Sequence, residues 1–455
     1  MDTQEQEIIK NQQQFFTSGT TKSILFRKEQ LKKLKQAIIN HEQEILDALH
    51  SDLGKPAFSA YLSEIYYCVQ EINIYLKNLA SWARPQRVKT SWLLFPAHSY
   101  IIQEPLGVTL IIAPWNYPFQ LTFMPLIGSI AAGNCTIIKP SEVAPACSRV
   151  LAHIIQKTFD PAYITVIQGD AMTAQALLQE KFDYIFFTGG TEIGKKVMTA
   201  AAQHLTPLTL ELGGKNPCIV THDAPLDITA KRIIRAKFSN LGQSCIAPNY
   251  ILVDAIIKQD LILELKKQLT NDVEHAGKII NQKHFERLTR MLQNCTIVTG
   301  GVTDASKLII QPTIIDGVSK DHPSMQEEIF GPILPVISYE TVDQAIKFIN
   351  TDHKPLALYI FSQDKQVQQK ILQQTSSGGV CINDVGLQVA NSNLPFGGVE
   401  FSGFGAYHGK KTFETFSHGK PVACNSFWFD FSLKYPSSAW AKRLVKKLLN
   451  FFNFF

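Results

Sequence analysis

Residues 105–139 read PLGVTLIIAPWNYPFQLTFMPLIGSIAAGNCTIIK, and from Pro105 to Ile138 no residue carries a charge. A run of that length raises the question of a membrane-spanning helix. Pro114, Pro118, Pro125, Gly128 and Gly133 divide it, however, and a proline has no N–H to give to the i−4 carbonyl. A buried strand over 106–113, a turn, a helix over about 121–132 and a second buried strand over 135–139 account for it better.

The same alternation continues outward. Next come the apolar runs AYITVIQG, DYIFFTGG and LTLELGG, separated by the helical patterns ACSRVLAHIIQKTF, AMTAQALLQ and TEIGKKVMTAAAQ. Strands alternating with helices at this pitch imply right-handed βαβ units and a parallel sheet. A second set of the same kind starts near Asn216 and runs through CIVTHDA, NYILVD, CTIVTGG and PVISY to ALYIFS. Two α/β domains are therefore expected. Upstream, FRKEQLKKLKQAIINHEQEILDALHSDLGK has helical spacing and closes on Gly54 as a helix stop would. Residues 84–99, RPQRVKTSWLLFPAHS, are irregular and suit a crossing segment or extended arm.

The chain has 455 residues, 45% hydrophobic and 18% charged, which suits a globular enzyme and excludes a wholly disordered protein. Much of the net charge of +5 lies in Lys434, Lys442, Arg443, Lys446 and Lys447, with no Asp or Glu after Asp430. The near-neutral body argues against a nucleic-acid partner. Eight cysteines without CxxC pairs suggest reduced thiols in a cytoplasmic compartment. The N-terminus shows neither the basic nor the apolar region of a secretory signal. Seven of the eight cysteines are expected to be small core hydrophobes.

The eighth is Cys245, in NLGQSCIAPN. Only a thiolate is nucleophilic, so a helix N-terminus or nearby donors would assist it, and Gly242 would let the backbone approach a ligand. Glu211 ends the apolar strand of TLELGGKNP, where burial would raise its pKa and fit it as a general base. The plainer alternative is a strand-end acid in solvent. Asn116 lies in a Trp-Asn-Tyr-Pro turn beyond a strand, and its side-chain amide could donate to an oxyanion, a contribution of ~2.7–4 kcal/mol. An Asn in a turn is otherwise unremarkable.

DYIFFTGGTEIGKKV supplies a strand, a glycine turn and a helix, which can present N–H groups to a pyrophosphate. The spacing of Gly189, Gly190 and Gly194 is not GxGxxG, so the usual dinucleotide fingerprint is absent. IIKPSE adds Lys139 and Glu142 past another strand end, where a ribose could bind.

Taken together, the segments APWNYP, IIKPSE, FTGGTEIG, LELGGK, GQSC, EEIFGP (327–332) and LPFGG (394–398) resemble the aldehyde dehydrogenase superfamily in order and spacing. The likeness runs from about Gln13 to Val422. The closing PFGGVEFSGFGAYHGKKTFETFSH resembles the class 3 branch of fatty- and aromatic-aldehyde dehydrogenases. Departures are Ser244, where that branch usually has Thr, and Glu400-Phe401 in the loop after FGG. Neither falls on a catalytic position.

The resemblance implies an α/β aldehyde dehydrogenase fold. A Rossmann-like NAD(P)-binding domain would take 1–83 and 103–209, and a catalytic domain 210–394. A small β oligomerisation arm would take 84–102 and 395–422, and a tail 423–455. The resemblance gives Cys245 as nucleophile, Glu211 as general base, and Asn116 as oxyanion donor beside the Cys245 N–H. Lys139 and Glu142 match the adenosine ribose site, and Gly189, Gly190, Thr191, Glu192, Ile193 and Gly194 the pyrophosphate turn. Glu328 matches the nicotinamide ribose contact and Phe330 the ring beside the nicotinamide. It further implies a homodimer and no metal. NAD is favoured, because Glu142 would repel a 2′-phosphate, although NADP fits class 3 relatives too.

Glu211 disfavours a CoA-acylating enzyme, which commonly lacks that base. A thioesterase or esterase using Cys245 and Glu211 would leave the cofactor motifs idle. A catalytically silent relative would not need Cys245, Glu211 and Asn116 intact.

In the tail, Lys442, Arg443, Lys446, Lys447, Asn450 and Asn453 share one arc of a helical wheel. Trp440, Leu444, Val445, Leu448, Leu449, Phe451, Phe452 and Phe455 fall opposite, with Phe454 the exception. This basic amphipathic helix would either lie on a membrane surface or pack on protein.

Overall fold

The charge-free stretch folds as a strand, Val108–Ile112, a helix, Gln120–Ala132, and a strand, Cys135–Lys139. Both strands are buried throughout, and so is the helix from Leu121 to Ala132. A helix apolar on every side belongs in a core, which disposes of the membrane-span reading here. Among the described residues no helix is long and apolar enough to cross a membrane.

The computed structural model describes residues 4–91, 94–272, 277–430 and 435–452. They form a large unit, Met1–Trp82 with Pro105–Ser417, and a small one, Ala83–Glu104 with His418–Phe455.

Two sheets organise the large unit. The first has six strands in the order Gly403–Phe404, Leu208–Glu211, Tyr184–Thr188, Val108–Ile112, Cys135–Lys139 and Ile164–Val166. All pairs are parallel except the first, which is antiparallel. Counted along the chain, the parallel strands lie in the order 5-4-1-2-3. The order therefore reverses between Val108–Ile112 and Tyr184–Thr188, and α/β sheets bind ligands in the crevice beyond such a switch point.

The second sheet runs Thr296–Thr299, Thr313–Asp316, Ile333–Tyr339, Tyr250–Asp254, Pro217–Val220, Ala357–Phe361 and Gly379–Ile382. Its edge strand Thr296–Thr299 is antiparallel to Thr313–Asp316, so this set is not purely βαβ as the sequence pattern suggests.

At the N-terminus the long helical pattern divides into Ile24–Asn40 and Glu42–Leu53 at His41. Gly54 closes the second helix in the left-handed conformation, φ 66°. A short helix, Ala57–Ala60, a π-helical turn, Tyr61–Tyr66, and a helix, Tyr67–Trp82, follow.

In the small unit Gln86–Val88 and His98–Pro105 pair antiparallel, and Ser417–Cys424 completes a three-stranded sheet. The terminal helix is Ala439–Phe452. Asn453, Phe454 and Phe455 lie outside the described residues. No cysteine is bonded to another. Cys68, Cys135, Cys147, Cys218 and Cys381 are buried as expected, whereas Cys295 and Cys424 are only half-buried. Cys295 follows a surface helix and Cys424 ends an edge strand, so neither reaches the core.

Candidate active site

The turn carrying Asn116 follows Val108–Ile112, and Gly189-Gly190 follow Tyr184–Thr188, so both flank the switch point. Asn116 is 3% exposed and donates one side-chain N–H to the Gln243 carbonyl at 3.1 Å. An Asn amide has two such hydrogens, which leaves one for a reacting oxygen.

Cys245 is delivered by an unusual turn. Asn240, Leu241 and Gly242 are all left-handed, with φ of 50°, 52° and 69°. Such conformations cost of order 1–3 kcal/mol for a non-glycine residue unless surrounding bonds enforce them. Here Asn240 Nδ2 donates to the carbonyls of Asn116 at 2.9 Å and Gln243 at 3.1 Å. The buried Gln243 amide in turn donates to Asn240 and Lys278 carbonyls and accepts the Ile280 N–H. Gly242 is obligatory, because a Cβ there would fall on the Gly331 carbonyl.

Cys245 as a residue is half-buried. Burial, then the nearby carboxylates of Glu328 and Glu211, push its pKa well above the usual thiol range, against the pull of the Cys245 and Ile246 N–H groups.

Glu211 ends its strand 3% exposed, and neither carboxylate oxygen has a hydrogen-bond partner. The reading of a solvent-exposed strand-end acid is therefore overturned. Desolvation alone raises its pKa far above the carboxylate range. Glu328 is half-buried with its Oε1 shut away from solvent, accepts the Gly214 N–H and is pushed up to about 7 by desolvation. Its carboxylate packs so closely on Gly213 that a Cβ at that position would collide with it. Arg287 fastens this segment by donating to the Glu328 carbonyl at 3.2 Å and the Ile329 carbonyl at 2.7 Å.

A cleft of about 470 Å³ brings these groups together. Asn116, Glu211, Cys245, Glu328 and Phe330 line it with the turn from Gly189 to Ile193. Gly194 is not in its wall; it packs against Leu212 beneath the turn. Lys139 ends the neighbouring strand, Glu142 follows it, and the two pair with each other at 3.2 Å. Trp115, His284 and Arg287 also line the cleft, with Trp115 and Phe330 edge to face at 5.3 Å.

The sequence reading passed over these three, and over Lys237. That lysine is buried, carries a pKa lowered to about 7 by desolvation, and is countered by Glu328. No local pattern marks Arg287 or Lys237, which sit at ordinary helix positions.

A second, largely apolar cavity also has Cys245 in its wall, with Tyr67, Tyr117, Val389, Phe396, Tyr407 and His408 among others. Cys245 and Leu121 belong to the walls of both.

The aldehyde dehydrogenase family model matches residues 3–422. The chain belongs to the aldehyde dehydrogenase family. The dehydrogenase is 49% identical over 415 residues to the 4,4'-diaponeurosporen-aldehyde dehydrogenase of Staphylococcus aureus, covering 89% of this chain and 90% of that protein. It is 44% identical over 441 residues to the dimeric NADP-preferring aldehyde dehydrogenase of Canis lupus familiaris, covering 95% and 97%. The solved substrate-bound state of Staphylococcus aureus AldH superposes with a TM-score of 0.96 at 45% identity, over 99% of this chain and 100% of that one. The chain is thus an oxidoreductase acting on aldehydes with NAD(P), on the aldehyde dehydrogenase fold.

The residues present fit that cofactor. The cleft lies at the switch point, the helix Thr191–Gln203 opens into it with its first-turn N–H groups, and Thr188 Oγ1 and Glu328 Oε1 are buried there without partners.

Proposed function

We propose that Cys245 is the nucleophile, Asn116 the oxyanion donor and Glu211 the general base, and that the aldehydes oxidised are lipophilic. The observation that carries this reading is the presence of Cys245 in the walls of both a cleft suited to a dinucleotide and an apolar cavity.

The Cys245 thiolate attacks the carbonyl carbon, and the resulting alkoxide is held by the free Asn116 N–H and the Cys245 backbone N–H. When bound, the oxidised dinucleotide supplies the hydride acceptor and a positive charge. Water then attacks the thioester on Cys245, passing its proton to Glu211, and the carboxylic acid departs. A buried carboxylate without a hydrogen-bond partner suits that role in its ionised form, which the raised pKa makes a stronger base than a solvated carboxylate.

In the same reading Glu328 contacts the nicotinamide ribose and Phe330 the nicotinamide ring. The turn from Gly189 to Gly194 takes the pyrophosphate, and Lys139 with Glu142 the adenosine ribose. The ion pair between these last two tempers the repulsion of a 2′-phosphate, in keeping with use of both cofactors. Residues 1–83 and 103–209 form the cofactor domain and 210–394 the catalytic domain. Residues 84–102 with 395–422 form the arm through which two copies pair.

Incubation with NAD+, without CoA, and with aldehydes from short alkanals to apocarotenals tests the reading through NADH absorbance. Turnover rising with chain length is expected. A strict need for CoA, or a preference for short alkanals, contradicts it.

We also propose that the tail rests on anionic membrane surfaces. Trp440 is exposed on the same helix as exposed Lys442, Arg443, Lys446 and Lys447, and Phe427 and Trp428 upstream are exposed too, a combination suited to a lipid headgroup layer. Deleting residues 436–455 should abolish sedimentation with anionic liposomes; unchanged sedimentation would assign the helix to protein packing.

A further inference from the structure

Lys55 and Glu64 form an ion pair at 2.5 Å with side chains 2% and 0% exposed. Desolvation largely offsets the attraction of two buried charges, so a stability role is a weak account of such a pair. Burial lowers the Lys55 pKa and the Glu64 carboxylate opposes that shift, so the lysine depends on its partner for its charge.

Their remaining bonds converge on one turn. Lys55 Nζ donates to the backbone carbonyl of Asn116 at 2.9 Å and sits 3.9 Å above the Tyr117 ring. The second oxygen of Glu64 accepts the N–H groups of Phe119 at 3.1 Å and Gln120 at 3.0 Å, at the start of the helix Gln120–Ala132. The turn between Trp115 and Pro118 is therefore gripped at both ends by one pair. The grip is built from special backbone on each side. Lys55 follows the left-handed Gly54, and Glu64 lies on the π-helical turn Tyr61–Tyr66, a geometry that recurs at functional sites.

We infer that Lys55 and Glu64 are positioning residues that aim the Asn116 side-chain amide at the reacting oxygen, an inference that rests on the oxyanion role proposed for Asn116. Neither residue lines the cleft or the apolar cavity. They act through the peptide plane of Asn116, whose carbonyl takes Lys55 on one side and Asn240 on the other. Fixing that plane, together with the bond from Asn116 Nδ2 to Gln243, fixes the direction of the remaining N–H. A misplacement of about 1 Å in such a group can cost about 10²-fold in rate.

The test uses Lys55→Met and the paired Lys55→Met/Glu64→Leu, because the single variant leaves a buried carboxylate and the pair removes both charges together. In the folded enzyme, single-turnover NADH formation should fall about 10- to 100-fold. The affinity for NAD+ and the rate of Cys245 alkylation should stay near wild type. A merely structural role would move all three together. Adding Asn116→Ala supplies the decisive comparison: if Lys55 acts through Asn116, the combined variant is no slower than Asn116→Ala alone. Wild-type turnover in the folded pair variant, or losses that multiply with Asn116→Ala, overturns the inference. If Asn116→Ala itself is fully active, the oxyanion reading fails instead.

Discussion

Asn216 donates its side-chain amide to the backbone carbonyl of Cys245 at 2.7 Å, tying the turn of this proposed nucleophile to the loop that follows Glu211. The same amide donates to the Ala247 carbonyl at 3.0 Å, and its oxygen accepts the Ala357 N–H at 2.8 Å. Asn216 is fully buried, so its loss would leave three backbone groups without partners. Asn216→Ala should lower unfolding stability by roughly 3 kcal/mol. It should also cut turnover more than NAD+ affinity, because the disturbed loop carries Cys245. Urea unfolding with parallel cofactor titration checks both; a stable, fully active variant would refute the link.

The two groups proposed to act in sequence should separate kinetically. Cys245→Ala should form no NADH, since no covalent adduct can arise. Glu211→Gln should retain acylation and lose hydrolysis, giving a burst of about one NADH per active site followed by slow turnover. Rapid-mixing absorbance measures the burst. Normal steady-state turnover in Glu211→Gln would remove that residue from the mechanism.

The parallel sheets were legible because they are built from buried apolar runs of useful length. CTIIK and DYIFFTGG match the strands Cys135–Lys139 and Tyr184–Thr188 at nearly the right boundaries. Gly379–Ile382 and Gly403–Phe404 are too short to stand out, and they pair only because distant segments return to the sheet edges. The same distinction governs the site. Asn116, Glu211 and Cys245 stand at strand ends or in turns with telling neighbours. Lys55 and Arg287 act across separations of 61 and 42 residues, where no local pattern can report them. Asn216 lay within a quoted motif, but its burial and its three bonds exist only in the folded chain.

The thiol environment predicts a particular pH response. Burial first, then the Glu328 and Glu211 carboxylates, raise the Cys245 pKa. Alkylation of the cofactor-free enzyme by iodoacetamide should therefore keep accelerating beyond the range of a free thiol, about 8.5. Glu328→Gln removes one of the opposing charges and should speed alkylation roughly three- to tenfold above neutral pH. A plateau at the free-thiol value, with no effect of Glu328→Gln, would show that these carboxylates do not govern the thiol.

Glu71 makes a separate prediction about stability. Its carboxylate accepts the Gly409 N–H at 2.7 Å, while Tyr75 donates to the Gly409 carbonyl at 2.6 Å. Gly409 and His408 are both left-handed, φ 52° and 83°, and His408 lines the apolar cavity. Burial pushes the Glu71 pKa up to about 7, against the opposing Gly409 N–H. The folded state therefore binds more protons than the unfolded chain between about 4.3 and that value. The stability this contributes is fully present below the unfolded pKa and is lost as pH rises through about 7. Unfolding free energy should thus decline between about pH 4 and about pH 7, with Glu71 accounting for on the order of 3 kcal/mol. Glu328 and Glu211 shift in the same direction, so the wild-type slope alone cannot isolate Glu71. Glu71→Gln can still accept the Gly409 N–H but cannot ionise, and its unfolding should depend less on pH by that amount. Urea unfolding of both proteins across the range provides the comparison, and equal slopes would show that Glu71 does not titrate as its burial requires.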